Sequence, residues 1–171
     1  EENKAFEIEG ELETSYVKHA YIEPEAGSSW IEGNTLVIQA CTQAPYMDRD
    51  DTAKILGLDK NKVRIIPSSS GGGFGSKLDV SLQPLLGLVT LKTKKPCRLT
   101  YSRKESMVST TKRHPAIMKA TISSDKKGKI LSMRFQGDFN TGAYASWGPT
   151  VANRVPIHAS GPYRIPNYHA I

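Results

Sequence analysis

The chain has 171 residues, 38% hydrophobic and 23% charged, which is enough to bury a globular core; no run of 18 apolar residues exists to span a bilayer. Its 23 basic and 17 acidic residues give a formal charge of +6. The densest basic runs, at 92–95, 112–114 and 126–129, fall at an expected helix exit, loop and hairpin turn, so nucleic acid is not an expected partner. The two cysteines, Cys41 and Cys97, form no CxxC pair, which argues against a metal cluster and for small buried thiols in a reducing, cytoplasmic compartment. The acidic start Glu1–Glu2–Asn3 is no secretory signal peptide. The chain opens inside a charged, strand-like stretch and stops at Ile171 without a terminator, as an excerpt of a longer protein would.

Taken in chain order, a two-residue apolar rhythm predicts strands over Phe6 to Thr14 and Leu36 to Thr42. Pro45, with Asp48, Asp50 and Asp51 in the first turns, opens a helix that runs to a stop at Gly57. A short β-branched strand, Val63 to Ile66, leads into Ser68–Ser69–Ser70 and a glycine run. Leu82, Leu85, Leu86 and Val89 then follow helical spacing, with Asp79 or Ser81 as cap and Pro84 in the first turn. Further on come a strand at Cys97 to Tyr101, a helical turn near Arg103 to Val108 and a hairpin from Ala116 to Asp138. The Gly-, Pro- and Tyr-rich tail holds one short helix near Val151 to His158. Strands and helices interleave without a regular βαβ rhythm, so the expected fold class is α+β, with mixed sheets and helices packed on one face. The chain reads as one domain over 1–171, or as two packed subdomains of about 1–100 and 101–171.

Chemistry concentrates in the loop Gly71–Gly72–Gly73–Phe74–Gly75–Ser76–Lys77. Four glycines in five positions allow left-handed backbone and close approach of a ligand. Inward amides at the entrance of a helix would make a cradle for an anion or an oxo group; a tightly packed surface loop is the plain alternative. A Walker A loop needs glycine before the lysine and Ser or Thr after it, and here Ser76 and Leu78 flank Lys77. The dinucleotide pattern GxGxxG fails at Ser76 as well.

The loop resembles the GGGFGGK signature of the molybdenum hydroxylases, the xanthine dehydrogenase and aldehyde oxidase family. His19–Ala20–Tyr21–Ile22–Glu23–Pro24 is similar to that family's HxxxEP segment, Thr42–Gln43 to its TQ step and Arg113–His114–Pro115 to its RHP. Gly142–Ala143–Tyr144, Gly161–Pro162–Tyr163 and Ile165–Pro166–Asn167 extend the likeness over nearly the whole chain. The resemblance implies the first part of a cofactor-binding domain, in the large molybdenum subunit of an oxidoreductase. It implies a molybdenum–molybdopterin cofactor, in the simple or the cytosine dinucleotide form. It also implies partners in the remainder of that subunit and in iron–sulfur and FAD domains or subunits.

Residue by residue, the resemblance gives Gln43 a hydrogen bond to an oxygen ligand of molybdenum and gives Phe74–Gly75 a main-chain contact to the cofactor, with Gly72 and Gly73 shaping the approach. Gln43 and Phe74 would thus touch the ligands of the metal. Phe74 also reads as a hydrophobic anchor for the loop, and Lys77 as a solvent-exposed lysine or an aid to the pterin phosphate. Glu23 reads as a hydrogen-bonded structural acid, and the four histidines as structural or surface residues. Leu78 stands where xanthine-oxidising members carry a substrate-orienting glutamate, which favours an aldehyde or another heteroaromatic substrate over a purine. The family's catalytic glutamate lies far toward the C-terminus of the complete subunit, so no catalytic residue is expected in this chain and no activity from it alone. The other readings are a non-catalytic basic binding module and a phosphate or nucleotide protein using the glycine loop.

Overall fold

The computed structural model describes residues 4–171; Glu1–Asn3, read above as no signal peptide, lie outside the described residues. In chain order the elements are β1 Phe6–Thr14, β2 Ala26–Glu32, β3 Thr35–Ala40, α1 Pro45–Leu56, β4 Val63–Pro67, α2 Gln83–Thr93 and β5 Cys97–Thr100. They continue with α3 Arg103–Ser109, β6 Ala116–Ser124, β7 Ile130–Phe139, α4 Gly148–His158 and β8 Asn167–Ala170. Two mixed four-stranded sheets and four helices make the fold α+β. Among the described residues no helix is long and apolar enough to cross a membrane.

The chain divides into two compact units, one of them continuous, Lys18–Lys112, and the other assembled from the stretches before and after it. The division is nested and not a serial cut near residue 100, because β1 pairs antiparallel with β6, Phe6 opposite Ser124.

In the continuous unit the strand order is β4-β3-β2-β5. The β3–β4 pair is parallel, joined through α1 as a single βαβ step, while β2 runs antiparallel to both β3 and β5. Leu36, Ile38 and Ala40 alternate onto one face of β3 and meet Leu82 and Leu86, with Leu56, Ile65, Leu99 and Tyr101 packed around them. Helix α1 starts on Pro45 and ends at Gly57, which takes the left-handed conformation (φ 67°) that a side chain resists. Helix α3 is fixed by a capping box in which Ser102 and Glu105 exchange hydrogen bonds.

Helix α2 departs from expectation twice. It begins at Gln83 with no side-chain cap, so the glycine loop does not run straight into a helix N-terminus. Its buried face is Leu86, Gly87 and Thr90, continuing from buried Leu82, while Leu85 and Val89 are exposed. Small residues set this rotation. A Cβ on Gly87 would lie 2.6 Å from Leu56 Cδ1, and the Thr90 and Ser29 hydroxyls pair at 2.6 Å. Gly27 on β2 plays the same part, since a Cβ there would lie 2.8 Å from Gln39 O and 2.9 Å from Leu82 Cδ1 and Leu86 Cδ1. Gly27→Ala is expected to lower stability by about 1–3 kcal/mol, read as a fall in thermal midpoint of roughly 2–4 °C per kcal/mol. An unchanged midpoint would mean that the sheet and helix have slack at this point.

The second unit holds the sheet β1-β6-β7-β8, antiparallel except for the parallel β7–β8 pair. Its β6–β7 turn is tied by Asp125 Oδ1, which accepts from Lys127 N at 2.8 Å and Lys129 N at 2.9 Å, with Gly128 at φ 80°. The tail contains β8 as well as the expected helix.

Candidate functional site

The glycine loop leaves β4 at the end of the parallel pair, where Ser68 N donates to Ala40 O at 3.0 Å. Gly72 (φ 100°) and Gly75 (φ 93°) take conformations that L side chains rarely adopt, and Phe74, which has a Cβ, is held at φ 53°. Such a residue carries backbone strain that only its surroundings can maintain. The Phe74 side chain is 67% exposed, so it does not anchor the loop in the core.

Gln43 fixes the loop from the β3 side. Its Oε1 accepts from Gly75 N at 3.0 Å and Lys77 N at 3.2 Å, and its own N–H donates to Lys77 O at 3.0 Å. Both partners of the side chain are N–H donors, so the carboxamide oxygen must face them and the NH2 group faces away. Among the described residues the NH2 group has no acceptor. Gly73 is buried against this contact: a Cβ there would lie 2.4 Å from Gln43 Oε1. The N–H groups of Gly72, Gly73 and Phe74 likewise make no hydrogen bond among the described residues. Consecutive amides left with spare donor capacity on alternating backbone form the kind of nest that binds anions and oxo groups.

Behind the loop lies a buried polar platform that sequence reading did not find. Lys77 is 3% exposed, contrary to its expected place in solvent, and its Nζ lies 2.7 Å from Glu23 Oε2. Glu23 Oε2 also accepts from Gly71 N at 2.9 Å. Burial alone would raise the Glu23 carboxyl, but the hydrogen bonds from Lys77 and Gly71 hold it below the usual range. Two ammonium groups approach the Tyr21 ring, itself 1% exposed: Lys18 Nζ lies 4.1 Å and Lys77 Nζ 4.5 Å from its centre. Its hydroxyl donates to Glu25 and accepts from Lys18 at 2.7 Å. Desolvation lowers the Lys18 pKa, with Glu25 opposing and Lys77 and Arg103 adding to the shift. Ser76, where the family's loop has glycine, is buried, with its Oγ 2.9 Å from Lys18 Nζ and 3.0 Å from Thr111 Oγ1. The platform was illegible because its members come from separate segments: Glu23 and Lys77 are 54 positions apart.

A second buried acid sits one turn beyond Gln43. Asp48, wholly buried, accepts from Gln83 Nε2 at 2.8 Å. Burial pushes its carboxyl up to about 6, against hydrogen bonds from Thr42 and Gln83 and with help from Asp51 and Asp79.

The structure thus brings Gln43, Gly72, Gly73, Phe74 and Gly75 together, with half-buried Leu78 directly after the loop. Among the described residues no group of three His, Cys, Asp or Glu side chains could hold a metal ion, and both cysteines are free. A ligand here would be met by neutral amides.

The chain is 41% identical over 161 residues to the nicotinate dehydrogenase large molybdopterin subunit of Eubacterium barkeri, covering 94% of this chain and 38% of that protein. It is 39% identical over 150 residues to a probable xanthine dehydrogenase subunit of Bacillus subtilis (strain 168), covering 87% of this chain and 20% of that protein. The chain therefore spans well under half the length of these relatives. The solved aldehyde oxidoreductase of Desulfovibrio gigas superposes with a TM-score of 0.88 at 22% identity, over 98% of this chain and 18% of that one; this likeness speaks to fold. All 171 residues match the family described as the molybdopterin cofactor-binding domain, and the chain belongs to that family.

Proposed function

We propose that this chain forms one wall of the molybdenum-cofactor site of an oxidoreductase that hydroxylates a heteroaromatic compound or an aldehyde with oxygen taken from water. The observation that carries the reading is the row of spare donors, the Gly72, Gly73 and Phe74 amides beside the Gln43 carboxamide. Neutral N–H donors suit a ligand rich in oxo and phosphate oxygens, because they stabilise negative charge without fixing a counter-charge. When bound, the molybdenum centre supplies two-electron redox chemistry. Gln43 would orient an oxygen ligand of the metal through its NH2 group, and Phe74 and Gly75 would face the cofactor with their main chain. Leu78 would border the substrate.

The heteroaromatic option is supported by the name of the 41% identical relative, a nicotinate dehydrogenase, and by Leu78, which offers a purine no polar contact. The catalytic base, the iron–sulfur clusters and FAD would come from segments or subunits outside this chain, with the pterin in either form. On this reading the 171 residues alone do not turn over substrate. The two free cysteines fit a reducing cytoplasm.

The test is metal analysis and turnover of the whole protein that carries this chain, assayed on nicotinate, quinoline, benzaldehyde and xanthine. Stoichiometric molybdenum with activity on at least one of the first three and little on xanthine is expected, and a metal-free protein would sink the reading. Gln43→Glu gives a sharper check. A carboxylate accepts from Gly75 and Lys77 as the amide oxygen does but has no proton to donate, so turnover should fall by roughly 10²–10³ while the loop keeps its shape. Wild-type turnover in that variant would remove Gln43 from the site.

A further inference from the structure

A loop that is mostly glycine has the largest entropy to lose on ordering, and Phe74, the large apolar side chain of Gly71–Lys77, is exposed and offsets little of it. Gln43 holds the far half of the loop, and its two ends are joined to each other through one ion pair. Glu23 holds its first residue twice, accepting Gly71 N–H through Oε2 at 2.9 Å and donating its own N–H to Gly71 O at 3.2 Å. Lys77 holds the last residue to the same place, its Nζ donating to Glu23 Oε2 at 2.7 Å and to Glu23 O at 3.1 Å. A single carboxylate oxygen therefore ties a backbone amide at one end of the loop to an ammonium at the other.

The surroundings admit little slack in this closure. A Cβ on Gly71 would lie 2.5 Å from Glu23 Cβ, so the loop rests directly on the side chain that clasps it. The Lys77 side chain is 2% exposed and that of Glu23 is 30% exposed, so water competes weakly for the ammonium. An apolar pair of similar volume can often replace a buried ion pair at no cost in stability. It cannot accept the Gly71 amide or bridge residue 71 to residue 77. The particular contribution of the charged pair is geometric.

We propose that Glu23 and Lys77 are positioning residues, whose ion pair clasps the two ends of the glycine loop so that the Gly72, Gly73 and Phe74 amides are held ready for the cofactor before it binds. This rests on the function proposed above. It assigns the acid of the HxxxEP segment and the lysine of the glycine signature to one device, acting through the loop backbone and touching no substrate.

The test compares three forms of the whole protein that carries this chain: unmutated, Glu23→Leu with Lys77→Met, and Lys77→Met alone. Three quantities are read: thermal midpoint, amide hydrogen exchange in a peptide covering residues 70–78, and molybdenum retained after extended dialysis. The double variant should melt within a few degrees of the unmutated protein, exchange its loop amides at least tenfold faster and retain less than a fifth of the metal. Lys77→Met leaves Glu23 solvated and bound to Gly71. It serves if the double variant does not fold, and should show faster exchange and partial metal loss. Unchanged loop exchange in both variants overturns the proposal, and so does faster exchange with full metal retention. An unmutated protein without molybdenum counts against the functional reading, and the clasp is then judged by exchange alone.

Discussion

Gly73→Ala is expected to empty the protein of molybdenum while leaving it folded. The new methyl group would lie 2.4 Å from Gln43 Oε1, 2.7 Å from its Cδ and 3.1 Å from its Cγ, distances no relaxed contact tolerates, so the Gln43 side chain must leave. It would give up its bonds to Gly75 N and Lys77 N, worth together about 1–3 kcal/mol. Gly73 is not in the left-handed region, so alanine carries no backbone penalty there, and its smaller unfolded-state entropy returns about 0.4–1 kcal/mol. The net loss of stability is modest, and the loss at the site is large because the donor and the loop it shapes go together. Gly75→Ala is the contrast. No atom lies within 4 Å of a Cβ there, but φ is 93°, so its cost of about 1–3 kcal/mol is backbone strain with Gln43 undisturbed. Metal analysis and thermal midpoints of the two variants separate the mechanisms. Wild-type molybdenum in Gly73→Ala would show that Gln43 is not required to hold the cofactor.

Asp48→Asn should stabilise the protein at neutral pH. The wholly buried carboxyl of Asp48 is pushed from 3.8 up to about 6, so the folded chain binds that proton more tightly than the unfolded chain. The stabilisation it brings is complete below the unfolded value near 3.8 and is lost as pH rises through about 6; the whole span is on the order of 3 kcal/mol. At pH 7.5 the native protein therefore buries an ionised group that its interior disfavours. Asparagine removes the charge and still accepts from Gln83, at a loss of about 1 kcal/mol for the weaker bond. The midpoint at pH 7.5 should rise by several degrees, at roughly 2–4 °C per kcal/mol, and the two proteins should converge near pH 4. A difference that does not vary between pH 4 and 8 would mean that Asp48 is solvated.

The elements legible in the sequence were those that local chemistry decides. Strand β3 shows its alternation in Leu36, Ile38 and Ala40, and α1 its ends in Pro45 and Gly57. Strand β2, Ala-Gly-Ser-Ser-Trp-Ile-Glu, shows neither period nor β-branched run; it is a strand because β3 and β5 pair with it on both sides. Strand β8 is four residues long and is defined by its parallel register with β7. In α2 hydrophobicity pointed to Leu85 and Val89, whereas the close approach permitted by Gly87 turned Thr90 inward. At the site, the residue types of Gln43 and the glycines were visible through a family likeness. Their arrangement was not, because it depends on the Gly73 contact and on Glu23, Lys18 and Tyr21, which meet the loop only in three dimensions.

The nesting of one unit within the other also sets an order of events during synthesis. Every strand of the continuous unit finds its partners within Lys18–Lys112, so that unit can complete its sheet as it leaves the ribosome. Strand β1 is made before β6 and waits for it, the last paired residue of β6 being Ser124. Long-range pairing of this kind is slow, and a waiting strand is open to pairing with other chains. Glu7, Glu9, Glu11 and Glu13, which alternate with Phe6, Ile8 and Leu12, put a charge at every second position. A strand that waits in this way is guarded against aggregation by its own sequence.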